Sequence, residues 1–271
     1  MARGTKVDIA LREECQARLN ADRWAEGEFV DHYASRELRP VESVVIDRYR
    51  NALSGRVLEL GCGAGRLTGH LSEVAREVHG IDLSPAMVAY CQQAYPEATF
   101  SVGDLRDLSR FPNGSYDAVV APFNVMDVLG DAARRAVVDQ IHRLLAADGL
   151  FILSSHNRCY ARRISTTTRL WIRLAVGSPR RPLRSIRNLP GRLRNRRRLR
   201  RMEHVQDDYA VLNDQAHDFS VLHYYISRDA QERQLAEHGF GLVECLDLDG
   251  RAVLRGETAA HCSELHYIAH R

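Results

Sequence analysis

The feature that most constrains the fold is a regular alternation of short apolar runs and amphipathic segments between residues 56 and 157. Five runs have the length and composition of buried strands: RVLELG, EVHGID, ATFSVGD, YDAVVAP and LFILSSH. Helical segments with short links separate them, and Ser84-Pro85 is a typical helix start. Strands that alternate with helices pair in parallel. We therefore predict an α/β fold with a doubly wound, mostly parallel sheet covered by helices on both faces.

A glycine-rich turn, Glu59-Leu-Gly-Cys-Gly-Ala-Gly-Arg66, follows the first strand. Glycines allow a tight turn and let a ligand approach the backbone. The usual dinucleotide fingerprint would need glycine where Arg66 stands. Asp82 and Asp104 end the next two strands, at the edge where ligands bind in such folds. The glycine turn, Asp82 and Asp104 thus follow three successive strands, as expected for a ligand site. The alternative, a plain tight turn with solvated acids at the strand ends, does not explain why all three lie at strand ends.

At these residues the chain resembles the class I S-adenosylmethionine-dependent methyltransferases. VLELGCGAGR, GIDLSP and VGDLRDL resemble the three consecutive segments that contact the nucleoside in that family. AEHGFGLVE with HYIAHR resembles its closing hairpin, and the likeness covers about residues 40–156 and 218–271. The resemblance implies an enzyme with a seven-stranded, Rossmann-like methyltransferase core and S-adenosyl-L-methionine as the cofactor.

The resemblance also implies roles for individual residues. The glycines would approach the methionine and ribose, Asp82 would hold the ribose hydroxyls, and Asp104 would accept from the adenine amino group. Tyr33, with Arg39, would belong to an N-terminal lid, for which simple helix packing is the alternative. The cofactor site so implied comprises Glu59, Gly61, Gly63, Gly65, Asp82, Leu83, Asp104, Leu105, Ala121 and Phe123. To these we add Tyr33, which lies in the N-terminal segment outside the resemblance.

Methyl transfer from a sulfonium needs an aligned nucleophile and, for a hydroxyl or a protonated amine, a general base. His156 is the best placed base, because it ends the central fifth strand; capping of that strand end is the alternative. Further candidates are Asn157, His217, Asp218, His223, Tyr224 and Tyr225. For His217 and His223 we favour a structural role, because alternation in FSVLHYYI directs one face of that strand to the core. We expect no metal site. The substrate-binding candidates are Asn124, Asn157, His223 and Tyr224.

The charge distribution is strongly uneven. The formal net charge is +3, yet residues 158–202 carry 16 arginines and no acidic residue. Arginine binds carboxylates and phosphates in bidentate fashion, so we favour capture of an anionic small-molecule acceptor. Nucleic acid is not favoured, because the segment has few aromatic residues to stack on bases. The segment could also contact a membrane surface, or pair with the acidic body of the same chain or of a second copy in a homo-oligomer.

These observations predict four regions. They are an N-terminal helical lid (1–40), a cofactor-binding core (41–157), an arginine-rich insert after the fifth strand (158–203) and a C-terminal part of the core (204–271). Scattered cysteines, no signal-like start and no apolar run long enough to span a bilayer favour a cytoplasmic location. We expect a methyltransferase acting on an O or N atom of a small, acidic acceptor. An RNA or protein methyltransferase and a non-catalytic cofactor-binding module are the competing hypotheses.

Overall fold

A computed structural model describes residues 6–25, 37–160, 189–214 and 216–271. The helices are α1 (Lys6–Ala25), α2 (Pro40–Arg48), α3 (Arg50–Leu53), α4 (Thr68–Ser72), α5 (Pro85–Ala94), α6 (Asp131–Leu144), α7 (Leu189–Leu199) and α8 (Arg228–Glu237). The strands are β1 (Arg56–Leu60), β2 (Glu77–Asp82), β3 (Thr99–Val102), β4 (Tyr116–Ala121), β5 (Leu145–Asn157), β6 (His204–Val205), β7 (Tyr209–Leu212), β8 (His223–Ile226), β9 (Gly241–Leu246) and β10 (Glu264–His270).

Seven of these strands form the predicted sheet, in the order β3-β2-β1-β4-β5-β10-β9. The first five pair in parallel, whereas β10 runs antiparallel to both of its neighbours. Apolar clusters lie on both faces, one around Phe151 and Tyr267 and the other around Val57 and Val120. The prediction of a doubly wound, mostly parallel sheet is confirmed.

The predicted count of seven strands is too small for the described residues, because β6, β7 and β8 extend the sheet. One edge of β5 pairs with β10 as far as His156. On the other edge β4 ends at Ala121, opposite Leu153, and β8 pairs with the two residues His156 and Asn157 beyond it. The extension thus lies past the carboxyl end of β4, where it can form one wall of a site.

Helix α1 is fastened to this wall by buried amides. The Asn20 side chain donates to Val128 O at 2.7 Å and to Leu222 O at 2.8 Å, and it accepts from Leu222 N at 3.2 Å. Glu13 accepts hydrogen bonds from the first backbone amides of α6, where a carboxylate also suits the helix dipole. Polar contacts therefore hold α1 across the loop after β4 and the start of β8.

The described parts of the arginine-rich insert are residues 158–160 and α7 with the turn that follows it. Arg196 pairs with Glu203, and both Arg192 and Arg196 lie over the ring of Phe219. The arginines at positions 194, 197, 198, 200 and 201 are exposed. The amphipathic helix expected over 162–176 lies outside the described residues. No helix among the described residues is long and apolar enough to cross a bilayer.

Replacing Asn20 with Ala should weaken the docking of α1. The change removes the partners of Val128 O and Leu222 N, whereas Leu222 O keeps the Gln16 side chain. Two buried backbone groups left unpaired cost about 2–4 kcal/mol in unfolding free energy. Urea unfolding and amide hydrogen exchange across α1 measure the effect. The exposed Arg18→Ala change on the same helix is the control and should alter neither. Unchanged exchange in Asn20→Ala would show that these bonds do not hold the helix.

Candidate functional site

A cavity of about 330 Å³ lies at the carboxyl ends of the parallel strands. Its walls come from the glycine turn after β1, the ends of β2 and β3, the loop after β4, the end of β5, the start of β8 and the inner face of α1. The predicted site residues that line it are Glu59, Gly61, Gly63, Asp82, Leu83, Asp104, Leu105, Phe123, Asn124, His156 and His223. Most of the predicted site therefore converges in one place.

The three glycines of the turn serve different purposes. All have positive φ values: 64° at Gly61, 55° at Gly63 and 77° at Gly65. A Cβ atom would collide with Val125 at Gly61 and with the Tyr95 ring at Gly65, so these two positions need glycine for packing. At Gly63 a Cβ atom would meet nothing within 4 Å. Gly63 is the position where the backbone opens onto the cavity.

Asp82 connects the glycine turn to the end of β2. Its Oδ2 accepts from Gly63 N at 2.9 Å, and its Oδ1 accepts from Ser84 N at 2.9 Å. Burial raises the pKa of this carboxyl, although the backbone hydrogen bonds oppose the shift. Each carboxylate oxygen has a second lone pair, so Asp82 can still accept hydrogen bonds from a ligand.

Glu59 lies almost entirely buried under the turn. Thr68 Oγ1 donates to its Oε2 at 2.5 Å. Burial raises the pKa of Glu59 to about 7, while Thr68 and the Arg66 guanidinium pull it down. Among the described residues no arginine forms an ion pair with Glu59 or Asp82. The loop therefore presents two carboxyl groups whose ionisation a cationic ligand would favour.

Asp104 and Phe123 have close arginine neighbours. Arg106 forms a bidentate pair with Asp104, with Nε at 2.9 Å from Oδ2, and Arg106 lowers the pKa of that carboxyl against the effect of burial. The guanidinium carbons of Arg39 and Arg66 lie 4.4 and 5.2 Å from the centre of the Phe123 ring. Arg39 pairs with Glu264 and Arg66 pairs with Glu42, so these cations are compensated.

His156 projects into the cavity with a buried carboxylate behind it. Its Nδ1 lies 2.6 Å from Asp127 Oδ2, which also accepts from the His156 backbone amide. Asp127 and Arg134 are both fully buried, and Arg134 Nη1 donates to Asp127 Oδ1 at 2.7 Å. Burial opposes ionisation, but Arg134 and His156 keep the pKa of Asp127 below its usual value. This arrangement fixes the ring so that Nε2 is the nitrogen on the cavity side, where Asn124 Nδ2 lies 3.4 Å from it.

A second histidine faces the same space from β8. His223 Nδ1 lies 3.0 Å from Asp214 Oδ2, and the Tyr225 hydroxyl donates to the same oxygen at 2.5 Å. Burial opposes the charged imidazole, but Asp214 raises the pKa of His223 above its ordinary value. The predicted alternation in β8 directs His223 and Tyr225 toward the site and Tyr224 away from it.

Several predicted residues are not brought to the cavity. The Tyr224 hydroxyl donates to Asp131 on the far side of β8, at 2.6 Å. The Asn157 side chain donates to the backbone oxygens of Thr258, Ala259 and Cys262. Gly65 and Ala121 support the loop and the end of β4 without lining the cavity. Tyr33 lies outside the described residues.

Local sequence patterns predicted no role in the acceptor site for Asp127, Arg134, Asp214 or Glu264. Glu264 accepts from Asn124 Nδ2 at 3.0 Å, and Arg134 donates to Gln231 at 2.7 Å across 97 residues of chain. The sequence offered one signal for the Asp127–Arg134 pair: Arg134 lies on the apolar face of α6, and Asp127 lies in the loop before that helix. Long-range pairing of this kind leaves no local pattern in a sequence.

Comparisons with known proteins agree with this geometry. Residues 57–149 match the family model described as a methyltransferase domain. A Mycolicibacterium smegmatis protein named a probable S-adenosylmethionine-dependent methyltransferase is 38% identical over 116 residues, which are 42% of this chain and 44% of that protein. The similarity of residues 57–149 is thus to a methyltransferase domain. The chain spans less than half the length of that relative.

Solved structures agree on the fold. The CcbJ methyltransferase of Streptomyces caelestis aligns over 91% of this chain and 97% of its own, with a TM-score of 0.57 and 16% identity. CalS10 of Micromonospora echinaspora, an amino pentose methyltransferase with bound S-adenosylmethionine, aligns over 90% and 95%, with a TM-score of 0.54 and 17% identity. The methyltransferase-like architecture thus extends beyond residues 57–149.

The raised pKa of Glu59 predicts a stability that falls with pH. Between the unfolded value of 4.5 and the folded value of about 7, the folded state binds the extra proton. The unfolding free energy should therefore decline by about 3 kcal/mol as pH rises through this window. The decline should be smaller by about this amount in Glu59→Gln, whereas the exposed Glu73→Gln change should retain the wild-type slope. Urea unfolding from about pH 4.5 to 8 makes the comparison, and an equal slope in Glu59→Gln would contradict the assignment.

Proposed function

We propose that the protein is an S-adenosylmethionine-dependent methyltransferase that acts on an O or N atom of a small, anionic acceptor. The observation that carries this proposal is a pair of carboxyl groups, Glu59 and Asp82, beside the open backbone of Gly63. Neither carboxyl group has an arginine ion pair within the described part of the chain. A ligand with a cationic centre and a ribose diol matches these features. The names of the Mycolicibacterium relative and of CalS10 support the same cofactor.

The cavity fits this cofactor at each part of the molecule. Asp82 keeps acceptor capacity for the ribose hydroxyls, and Leu83 and Leu105 offer apolar contact beside it. Asp104 would accept from the adenine amino group next to Arg106. Glu59 would balance the cationic methionine part from beneath the turn, and Phe123 would line the face near the sulfonium. Gly61, Gly65 and Ala121 shape the backbone of this site, and we retain Tyr33 as a lid residue.

The bound cofactor supplies an activated methyl group, and the chain must position the acceptor and handle its proton. We assign the general base to His156, because Nδ1–H donates to Asp127 and Nε2 is left as a proton acceptor toward the cavity. Asp127 stays ionised through Arg134, so it can hold the ring in this tautomer and stabilise the imidazolium that forms.

The acceptor would lie between Asn124, His156 and His223. Asp214 raises the pKa of His223 against the effect of burial, which favours the charged imidazole in this wall and supports an anionic acceptor. Asn157 and Tyr224 would contribute indirectly, since they fix the backbone of the end of β5 and of β8. CalS10 is named an amino pentose methyltransferase, which supports a small-molecule acceptor.

A second candidate is an RNA or protein methyltransferase. It is favoured by the five exposed arginines between positions 194 and 201, none of which lines the cavity. Such a cluster outside the pocket suits an extended polyanion better than a small acceptor. Titration with single-stranded RNA at several salt concentrations tests this candidate. Nanomolar affinity with a steep salt dependence would favour it over the small-molecule acceptor.

Replacing Gly63 with Ala should abolish most of the cofactor affinity. The methyl group would occupy the open side of the turn, and the positive φ would add backbone strain of about 1 kcal/mol. Calorimetry with S-adenosylhomocysteine should show at least a roughly 10-fold loss of affinity. Gly114→Ala is the matched control, because Gly114 has φ 60° and an open Cβ position in a turn outside the cavity. Equal affinities in the two variants would refute the placement of the cofactor.

Replacing His156 with Asn should slow methyl transfer without weakening cofactor binding. Loss of a general base lowers kcat by about 10²–10⁴-fold. The rate is measured by release of the demethylated cofactor with whichever acceptor supports turnover. His70→Asn, an exposed change, is the control and should turn over at the wild-type rate. An unchanged kcat in His156→Asn would assign the base elsewhere.

A further inference from the structure

Two imidazole rings lie side by side in the acceptor half of the cavity. The ring centres of His156 and His223 are 5.0 Å apart, and their planes are inclined by 34°. His156 lies at the end of β5 and His223 at the start of β8. These two strands are paired in parallel, with His156 opposite Tyr225. Their relative position is therefore fixed by backbone hydrogen bonds and not by a flexible loop.

Each ring is anchored to its own carboxylate through Nδ1. Asp127 holds His156 and Asp214 holds His223, at 2.6 and 3.0 Å. The two nitrogens of an imidazole lie on different sides of the ring, so anchoring Nδ1 leaves Nε2 for the cavity that both rings line. One nitrogen of each ring and one oxygen of Asp214 lie within 4.8 Å of one another. The two rings are thus close enough, at 5.0 Å between centres, to contact neighbouring atoms of one small ligand.

The two rings have different hydrogen-bond surroundings. Asn124 Nδ2 lies 3.4 Å from His156 Nε2, and an amide N–H can only donate, so His156 Nε2 is placed as an acceptor. The charge of Asp127 behind this ring is compensated by the buried Arg134. Asp214 raises the pKa of His223 against the effect of burial, which favours the charged, donating form of that ring. The pair therefore combines an acceptor nitrogen on His156 with a ring suited to donation on His223.

Other polar groups around the rings have partners of their own. The Tyr225 ring lies 4.9 Å from His156, with its hydroxyl bound to Asp214, and His217 lies 6.2 Å from His223. On the β10 side Glu264 pairs with Arg39 and accepts from Asn124. The charge of Glu264 is thus compensated, and the histidine pair is the part of this wall that combines a proton acceptor with a donor.

We propose that this pair selects an acceptor whose reacting hydroxyl has a second, anionic or carbonyl oxygen close beside it, as in an ortho-hydroxycarboxylate. This inference rests on the proposed methyltransferase function. His223 Nε2–H donates to the second oxygen and fixes the orientation of the acceptor. His156 Nε2 removes the hydroxyl proton. The oxygen lone pair then forms the bond to the methyl carbon, the carbon–sulfur electron pair stays on sulfur as a neutral thioether, and His156 ends as the imidazolium.

Isomeric probes of equal size test this proposal. Calorimetry compares 2-hydroxybenzoate with 4-hydroxybenzoate on the full chain saturated with S-adenosylhomocysteine. We expect the ortho isomer to bind about 10-fold more tightly or better, the range of a charge-assisted hydrogen bond. His223→Asn should bind the two isomers equally while its affinity for S-adenosylhomocysteine is unchanged. His156→Asn should retain the ortho preference but lose turnover, and the exposed His70→Asn change should behave as wild type.

Each outcome has a distinct meaning. Equal binding of the isomers by the wild type, or an ortho preference that survives in His223→Asn, overturns the proposal. Absence of S-adenosylhomocysteine binding refutes the methyltransferase function instead. The experiment is repeated in EDTA and with added Zn²⁺ or Mn²⁺, because two histidines and an aspartate can also hold a metal ion. Ortho binding that disappears in EDTA and returns with the metal would assign the pair to metal ligation and overturn the proposal.

Discussion

The acceptor half of the site depends on the buried ion pair between Asp127 and Arg134. Neither side chain has any exposed surface, so their desolvation must be offset by complete hydrogen bonding. Arg134 meets this requirement with Asp127, Ser155, Gln231 and Gln234. The pair therefore joins the loop after β4 to α6, β5 and α8. Arg134 binds Oδ1 of Asp127, and the other oxygen, Oδ2, holds His156. A substitution at any of these positions would therefore alter the orientation of the His156 imidazole.

The two halves of the cavity are built in different ways. The cofactor half consists of consecutive strand ends and the turns that follow them, so its residues lie close together in the sequence. The acceptor half combines β5 with the extension β6–β8 and with α1, which are far apart in the chain: Asn20 donates to Leu222 across 202 residues. Its geometry can therefore change with the insert and the N-terminal segment while the cofactor half stays constant.

The arginine-rich insert contributes to the fold in its described part. Leu199 packs with Val211, Leu222 and Tyr224, so α7 covers the outer face of the sheet extension. Arg192 and Arg196 face Phe219 and nearby acids, whereas the remaining arginines of α7 and its following turn point to solvent. A basic surface is thus mounted directly on the strands that form the acceptor wall.

The sequence by itself determined the α/β architecture, the glycine turn and the acids Asp82 and Asp104, because local periodicity and strand-end position carry that information. It also placed His156 at the end of a central strand. Only the tertiary structure decided that β8 continues the sheet past the end of β4 and that Asp127, Arg134 and Asp214 hold the two histidines. The tertiary structure also decided that His223 lines the cavity and that Tyr224 does not, since only strand pairing determines which face of β8 meets the cavity. Contacts between distant segments are set by packing and by the need to satisfy buried charges, and neither leaves a local pattern in the chain.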